Sequence, residues 1–134
     1  MDEQAVRTVS ACGTCGAESE RWVVQLIRAN RLRWEADYSC ARCGTIACDG
    51  DWGPAPADVR AALVAEHGEV VLLFRNDARN SGRVLKAFRD ALGLTLAEAK
   101  SAAEAVRGQG FRSTRVEGEL VRRLLGPAVI RRAA

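Results

Sequence analysis

Hydrophobic positions along the chain change their period near its middle. In the first half Trp22, Val24 and Leu26 alternate along one run, and Leu32, Trp34, Ala36 and Tyr38 along the next. A period of two is that of a strand, so the pattern predicts a β-hairpin over residues 21–28 and 31–38, turning at Ala29-Asn30. In the second half Val84, Phe88, Ala91 and Leu92 recur at helical spacing, and Leu96, Ala99, Ala103 and Val106 do so again after Gly93. Gly93 can end the first of these helices in a left-handed conformation. Thr95 and Glu98 have the spacing of a capping box that opens the second. Ala87, Ala91, Ala99, Ala102 and Ala103 are small enough to let the two helices approach closely. Thr114 and Glu117 repeat the box before a third helix with Val116, Leu120 and Leu124 on its apolar side. Gly126-Pro127 stops that helix, and a strand over 128–131 follows.

Within the strand-length segment 69–74 the five residues after Glu69 form an unbroken apolar run, so a strand covered on both faces is expected there. Val70, Leu72 and Phe74 then share one face, and Val71 and Leu73 the other. A short helix over 58–66, with Val59, Ala62 and Leu63 on one side, is expected to fold back over the second face; the hairpin or a second copy of the chain are the other candidate covers. The polar stretch 75–82 reads as a loop, and Phe111-Arg112-Ser113 as a short edge strand. The run D-G-D-W-G-P-A-P from Asp49 reads as a loop closing the hairpin module.

Composition adds two restrictions. With 134 residues, 48% hydrophobic and 28% charged, the chain suits one ordinary folded domain or two very small ones. No apolar run reaches the roughly 20 residues of a membrane helix, and M-D-E-Q-A-V-R lacks the apolar core of a signal peptide. The expectation is a cytoplasmic protein with reduced or metal-bound thiols. The net charge of +3 divides unevenly, as −3 over residues 1–66 and +6 over 67–134. An acidic partner is thus expected at the C-terminal half.

The sharpest chemical signal is Cys12-Gly13-Thr14-Cys15-Gly16 together with Cys40-Ala41-Arg42-Cys43-Gly44. Two C-x-x-C-G knuckles around a hairpin offer four thiolates to one tetrahedral ion, which is the pattern of a zinc ribbon. Iron in a rubredoxin-like site uses the same knuckle. Zinc is preferred because the acidic and aromatic residues that accompany iron sites are missing here, while reduced thiols or disulfides are the bland alternative. Four thiolates leave no open position, so the single Zn²⁺ held by Cys12, Cys15, Cys40 and Cys43 is expected to be structural. Cys48 reads as a small residue and not a fifth ligand, and His67 as a surface residue at a helix end.

The stretch V-L-K-A-F-R-D-A-L-G-L-T-L-A-E-A-K, residues 84–100, resembles the C-terminal domain of the bacterial large-subunit ribosomal stalk protein. The counterpart there has the form V-I-K-x-V-R-x-x-T-G-L-G-L-K-E-A-K, and weaker similarity runs over about 70–131. The resemblance implies an α+β domain with three helices on a three-stranded antiparallel sheet, and a binding face for translational GTPases on the first two helices. The residues matching that face are Leu85, Lys86, Arg89, Glu98 and Lys100. Lys86 and Lys100 are the only lysines among twenty basic residues, and both fall where the resembled family uses lysine. Ser81 and Gly82 stand where the family has a basic and then an aliphatic residue. A ribbon replaces its dimerisation helices, so the chain is not the stalk protein itself.

The expected organisation is therefore a zinc ribbon over 1–55, a connecting helix over 56–67 and a stalk-like domain over 68–134. The expected role is that of a non-enzymatic adaptor for the ribosome or a translational GTPase. The alternatives are a regulator binding RNA or DNA through Arg21, Arg28, Arg31, Arg33 and Arg42 beside Trp22, Trp34 and Tyr38, or an interaction module unrelated to translation. No paired carboxylates, nucleophile with base, phosphate-cradling loop or open metal site can be assembled, so an enzyme is not expected.

Overall fold

A computed structural model describes residues 2–74, 81–126 and 129–132. The expected loop over 75–82 falls largely on 75–80, outside the described residues, as does the expected stop at Pro127; Ser81 and Gly82 belong to a helix. The elements run β1 (Glu3–Ala11), β2 (Glu18–Arg28), β3 (Arg31–Ser39), β4 (Ile46–Trp52), α1 (Ala57–His67), β5 (Val70–Leu73), α2 (Ser81–Leu92), α3 (Leu96–Arg107), β6 (Phe111–Ser113), α4 (Arg115–Leu125) and β7 (Val129–Arg132). The fold is α+β, with a four-stranded antiparallel sheet in the order β1-β2-β3-β4 and a three-stranded one in the order β6-β5-β7.

The hairpin of β2 and β3 turns where expected. Ala29 and Asn30 both hold positive φ, at 53° and 56°, which is the tight turn that fits the twist of paired strands. Sequence reading missed β1 and β4, which extend the hairpin on both sides. The D-G-D-W expected as loop is instead the end of β4, paired from Ile46 opposite Ser39 to Trp52 opposite Arg33. The face assigned to β2 is also corrected. Val23, Gln25 and Ile27 point inward and are buried, whereas Trp22 lies outward at 49% exposure. Residues 22–27 are apolar on both parities except Gln25, so alternation alone could not choose the covered side.

Two clusters of buried side chains hold the molecule together. The larger joins Leu72 of β5, the inner faces of α2, α3 and α4, and Ile27 and Leu32 from the turn end of the first sheet. Val84, Phe88, Ala91, Leu92, Ala99, Ala103 and Val106 all lie in it, as their spacing requires. Phe88 meets Phe111 edge to face, with ring centroids 4.9 Å apart. The smaller cluster sets Val59 and Leu63 of α1 on Val6, Val23 and Ala36.

That second cluster overturns the expected cover for β5. The apolar side of α1 lies on the four-stranded sheet and not behind Val71 and Leu73. Arg21 holds the start of α1 through Asp58 at 2.7 Å, and His67 at its end donates from Nε2 to the Ala5 carbonyl at 2.7 Å. Val71 and Leu73 are half-buried. The chain passes over them at Gly110, where a Cβ would stand 2.1 Å from Val71 Cγ1 and 3.3 Å from Leu73 Cδ2. A side chain of any size is excluded there.

Candidate metal centre and the α2–α3 groove

The strand order explains how four distant thiols meet. Each knuckle is a hairpin loop, the first joining β1 to β2 and the second joining β3 to β4. Both loops therefore sit at the same end of one sheet, on neighbouring hairpins. The two are built alike. In the first, Cys12 N–H donates to Ala17 O at 2.7 Å and Gly16 N–H to Cys12 O at 2.8 Å. In the second, Cys40 N–H donates to Thr45 O at 2.9 Å and Gly44 N–H to Cys40 O at 2.8 Å. Gly16 and Gly44 close the loops at φ 75° and 76°, a conformation costly to other residues.

The four sulfurs lie within 4.8 Å of one another, with Cys12 3.7 Å from Cys43 and Cys15 3.6 Å from Cys40. A zinc–sulfur bond of about 2.3 Å in a tetrahedron requires sulfurs about 3.8 Å apart. A disulfide needs about 2.05 Å. The donor set thus fits one tetrahedral ion and is far from any disulfide. Cys12 and Cys40 are buried at the sheet end, while Cys15 and Cys43 are exposed.

The surroundings favour thiolate at Cys12 and Cys43 and oppose it at Cys15. Against the pull of the Ala17 N–H, desolvation and the neighbouring sulfurs push the Cys15 thiol up to about 11. Main-chain N–H groups of Cys15 and Thr14 directed at the Cys12 sulfur, the latter at 3.4 Å, bring its pKa down to about 6. The Thr45 hydroxyl, 3.0 Å from the Cys43 sulfur, lowers that thiol also. Cys48 lies on the outer face of β4, exposed and apart from the four. A hydrogen bond with Asp37 raises its pKa, so it is a poor nucleophile.

The five residues singled out on the helices divide. Leu85, Lys86 and Arg89 of α2 line a groove of about 550 Å³ with Asp90, Leu94 and Leu96. Glu98 is exposed but committed locally: its carboxylate accepts from Thr95 N–H at 2.9 Å and completes the capping box of α3. Lys100 is exposed on α3 and does not line the groove. Lys86 carries an ion pair with Asp90 at 2.7 Å. Leu96, expected to join the apolar stripe of α3, is 47% exposed at the groove instead. Its position as the first residue of the helix, before the stripe turns inward at Ala99, is the signal that could have placed it.

Sequence reading also missed a polar joint between the two sheets' layers. Gln25 of β2 is fully buried and donates from Nε2 to Glu117 Oε2 at 3.2 Å, while its Oε1 accepts from the Thr114 hydroxyl at 2.5 Å. Glu117 also takes Arg60 of α1.

No family model, curated protein or solved structure matches the chain. Among the described residues no helix is long and apolar enough to cross a membrane.

Proposed function

We propose that the chain is a zinc-stabilised, non-enzymatic adaptor, in which a zinc-ribbon unit carries a stalk-like helical unit that docks a protein of the translation apparatus, a translational GTPase or the ribosome. The observation that carries this reading is the α2–α3 groove. It sets the cations Lys86 and Arg89 beside apolar Leu85, Leu94 and Leu96 in one concavity, a combination suited to an acidic surface with an apolar anchor. The resemblance of residues 84–100 to the stalk domain supplies the partner class. The order strand, helix, helix, strand, helix, strand from β5 to β7 agrees with it. The ion is zinc in this reading because four thiolates at tetrahedral spacing suit it, and its role is to pin the two hairpin ends.

Capture of partners by the full metal-loaded chain tests the proposal. Ribosomal proteins or translational GTPases should be retained, and Arg89→Glu with Lys86→Glu should release them and flatten the salt dependence. Retention that ignores both substitutions, or retention of no translation component, sinks it.

A second reading rests on Trp22 and Trp52. Both are exposed on the outer face of the first sheet, and Arg31 and Arg33 stack on Trp52 at 4.6 Å and 5.1 Å, which suits unpaired bases. Trp34 and Tyr38 face inward, and Arg21 is engaged with Asp58, so they leave that surface. Asp37 sits directly opposite Trp22, with Glu20 and Glu35 nearby, and this acidity places nucleic acid second. Quenching of tryptophan fluorescence by a single-stranded oligonucleotide would promote it.

A further inference from the structure

The four-stranded sheet has two edges, and the chain protects them unequally. Along β1, Asp2 O accepts from Ile27 N–H, and Cys12 N–H donates to Ala17 O; even-numbered residues therefore bond toward β2 and odd-numbered ones point outward. On that outward row the Glu3 carbonyl accepts from Arg115 Nη2 at 2.9 Å and the Ala5 carbonyl from His67 Nε2 at 2.7 Å. On the β4 edge two N–H groups are plugged in a different way, beside the charge of two aspartates. Gly53 N–H donates to Leu32 O, so the even-numbered residues of β4 point outward. There Asp49 and Asp51 accept from the N–H groups of Gly50 and Trp52 at 2.8 and 2.7 Å. Such plugs remove the groups that a foreign strand would pair.

On β1 the plugs stop short of Arg7. Among the described residues, nothing is bonded to the outward main-chain groups of Arg7, Val9 and Ala11. All three residues are exposed, Val9 at 57%.

The geometry points to a second copy of this chain as the occupant: β1 pairs antiparallel with β1 of the other molecule about a twofold axis through Val9, joining the two four-stranded sheets. In this register every outward odd-numbered residue meets another, Val9 against Val9 and Arg7 against Ala11 of the second copy, as hydrogen-bonded pairs. Thr8 faces Ser10, and no like charges oppose each other. Charge also complements across the joint. Ala11 stands opposite Glu18 on β2, so Arg7, whose exposed ion pair with Glu20 of its own chain is 3.5 Å long, can extend over the small Ala11 of the second copy to its exposed Glu18, and symmetry makes the contact twice. Centring the pair on Arg7 would set Arg7 against itself and drive the ladder into the His67 plug at Ala5. Centring it on Ala11 would run Val9 into the first knuckle. Centring it on Thr8 would still pair odd with odd but would set Ala11 against the plugged Ala5. Centring it on Ser10 would set Arg7 against Gly13 of the knuckle. The longest unplugged ladder is therefore the one centred on Val9.

Sedimentation velocity of the full metal-loaded chain across a concentration series is the test. A concentration-dependent dimer is expected. Val9→Pro should leave a monomer with unchanged metal content, because it deletes an N–H that points away from β2. Arg7→Glu and Glu18→Arg should each weaken the dimer, and their combination should restore it. The charge swap decides the matter even if Val9→Pro fails to fold. A wild-type chain that is monomeric at every concentration overturns the inference. So does a dimer indifferent to Val9→Pro and to both charge changes. Partner capture enters neither outcome, so this inference stands or falls apart from the adaptor reading.

Discussion

Glu117 receives the Arg60 guanidinium side-on, with Nε 3.0 Å from Oε2 and Nη2 3.0 Å from Oε1. The same carboxylate accepts from Thr114 N–H at 2.9 Å and so caps α4. With Gln25 added, one buried group ties together β2, α1 and α4. Arg60 is about a third exposed and keeps access to water, whereas Glu117 is almost wholly buried.

Replacing Glu117 by Gln should therefore cost about 2–3 kcal/mol, below the figure for severing a fully buried pair. Gln25→Leu should cost less alone, and the two losses should not add, because the groups share one network. Chemical denaturation of the single and double variants measures this. Additive losses would show that Gln25 and Glu117 act separately.

Removing the metal, by chelation or by Cys40→Ser, should loosen the sheet from its knuckle end. Ile27 and Leu32, at the opposite end, lie in the core of the helical unit. Amide exchange should accelerate first around Cys12–Gly16 and Cys40–Gly44, while β2 near Ile27 and the helices α2–α4 stay protected. Elemental analysis should give one zinc per chain. Cobalt substitution should give the visible bands of a tetrahedral tetrathiolate, which Cys40→Ser abolishes.

Much of this arrangement was legible because local chemistry announces it. The knuckles, the turn at Ala29-Asn30 and both capping boxes carry their geometry in consecutive residues. The edge strands do not. Along β4, I-A-C-D-G-D-W offers no covered face, because the strand is exposed almost throughout. Along β1 the inward positions Gln4, Val6 and Thr8 are largely polar, so alternation was masked. Glu117 was legible as a cap, but its bonds to Arg60 and Gln25 join residues 57 and 92 positions apart. No local pattern could contain them. The place of α1 escaped for a related reason: its apolar stripe fits either sheet, and the contacts of Asp58 and His67 decide between them.

Acid should weaken the fold through three carboxylates. Arg21 holds Asp58 below its ordinary value of 3.8, while the Thr95 N–H holds Glu98, and Arg122 holds Glu119, below 4.5. A group depressed on folding contributes stability above its unfolded pKa and loses it as pH falls through the folded value. Asp58→Asn, Glu98→Gln and Glu119→Gln together should lower the Tm at pH 7, with the gap from wild type closing as pH drops below about 4. Release at low pH of an ion held by the four cysteines would affect both proteins alike and cancel in the difference. A gap constant with pH would show that the three groups titrate as in the unfolded chain.

Leu96 separates binding from stability on the groove. Its side chain is half in water, so Leu96→Ser should change stability by no more than about 0.5 kcal/mol. If the groove docks a partner, the loss of an apolar anchor should weaken capture at least as much as Lys86→Glu, because Lys86 is already paired with Asp90. Equal capture by Leu96→Ser and wild type would remove Leu96 from the docking surface.

Gly110 is the position where the smallest change should do the most harm. Its φ of 106° lies where side chains are strained, and an added methyl would overlap Val71 Cγ1 at 2.1 Å. The two costs have different origins and can be separated. Gly110→Ala alone should destabilise by about 3–4 kcal/mol, combining backbone strain with overpacking against β5. Shortening Val71 to Ala removes the nearest colliding atom but not the positive φ. Val71→Ala should cost about 1 kcal/mol by itself, since the side chain is only half-buried. In the double variant the two losses should sum to less than their separate values, the shortfall measuring the steric part. Strict additivity would show that the chain around Gly110 moves aside freely, and the half-cover of β5 would then rest on other contacts.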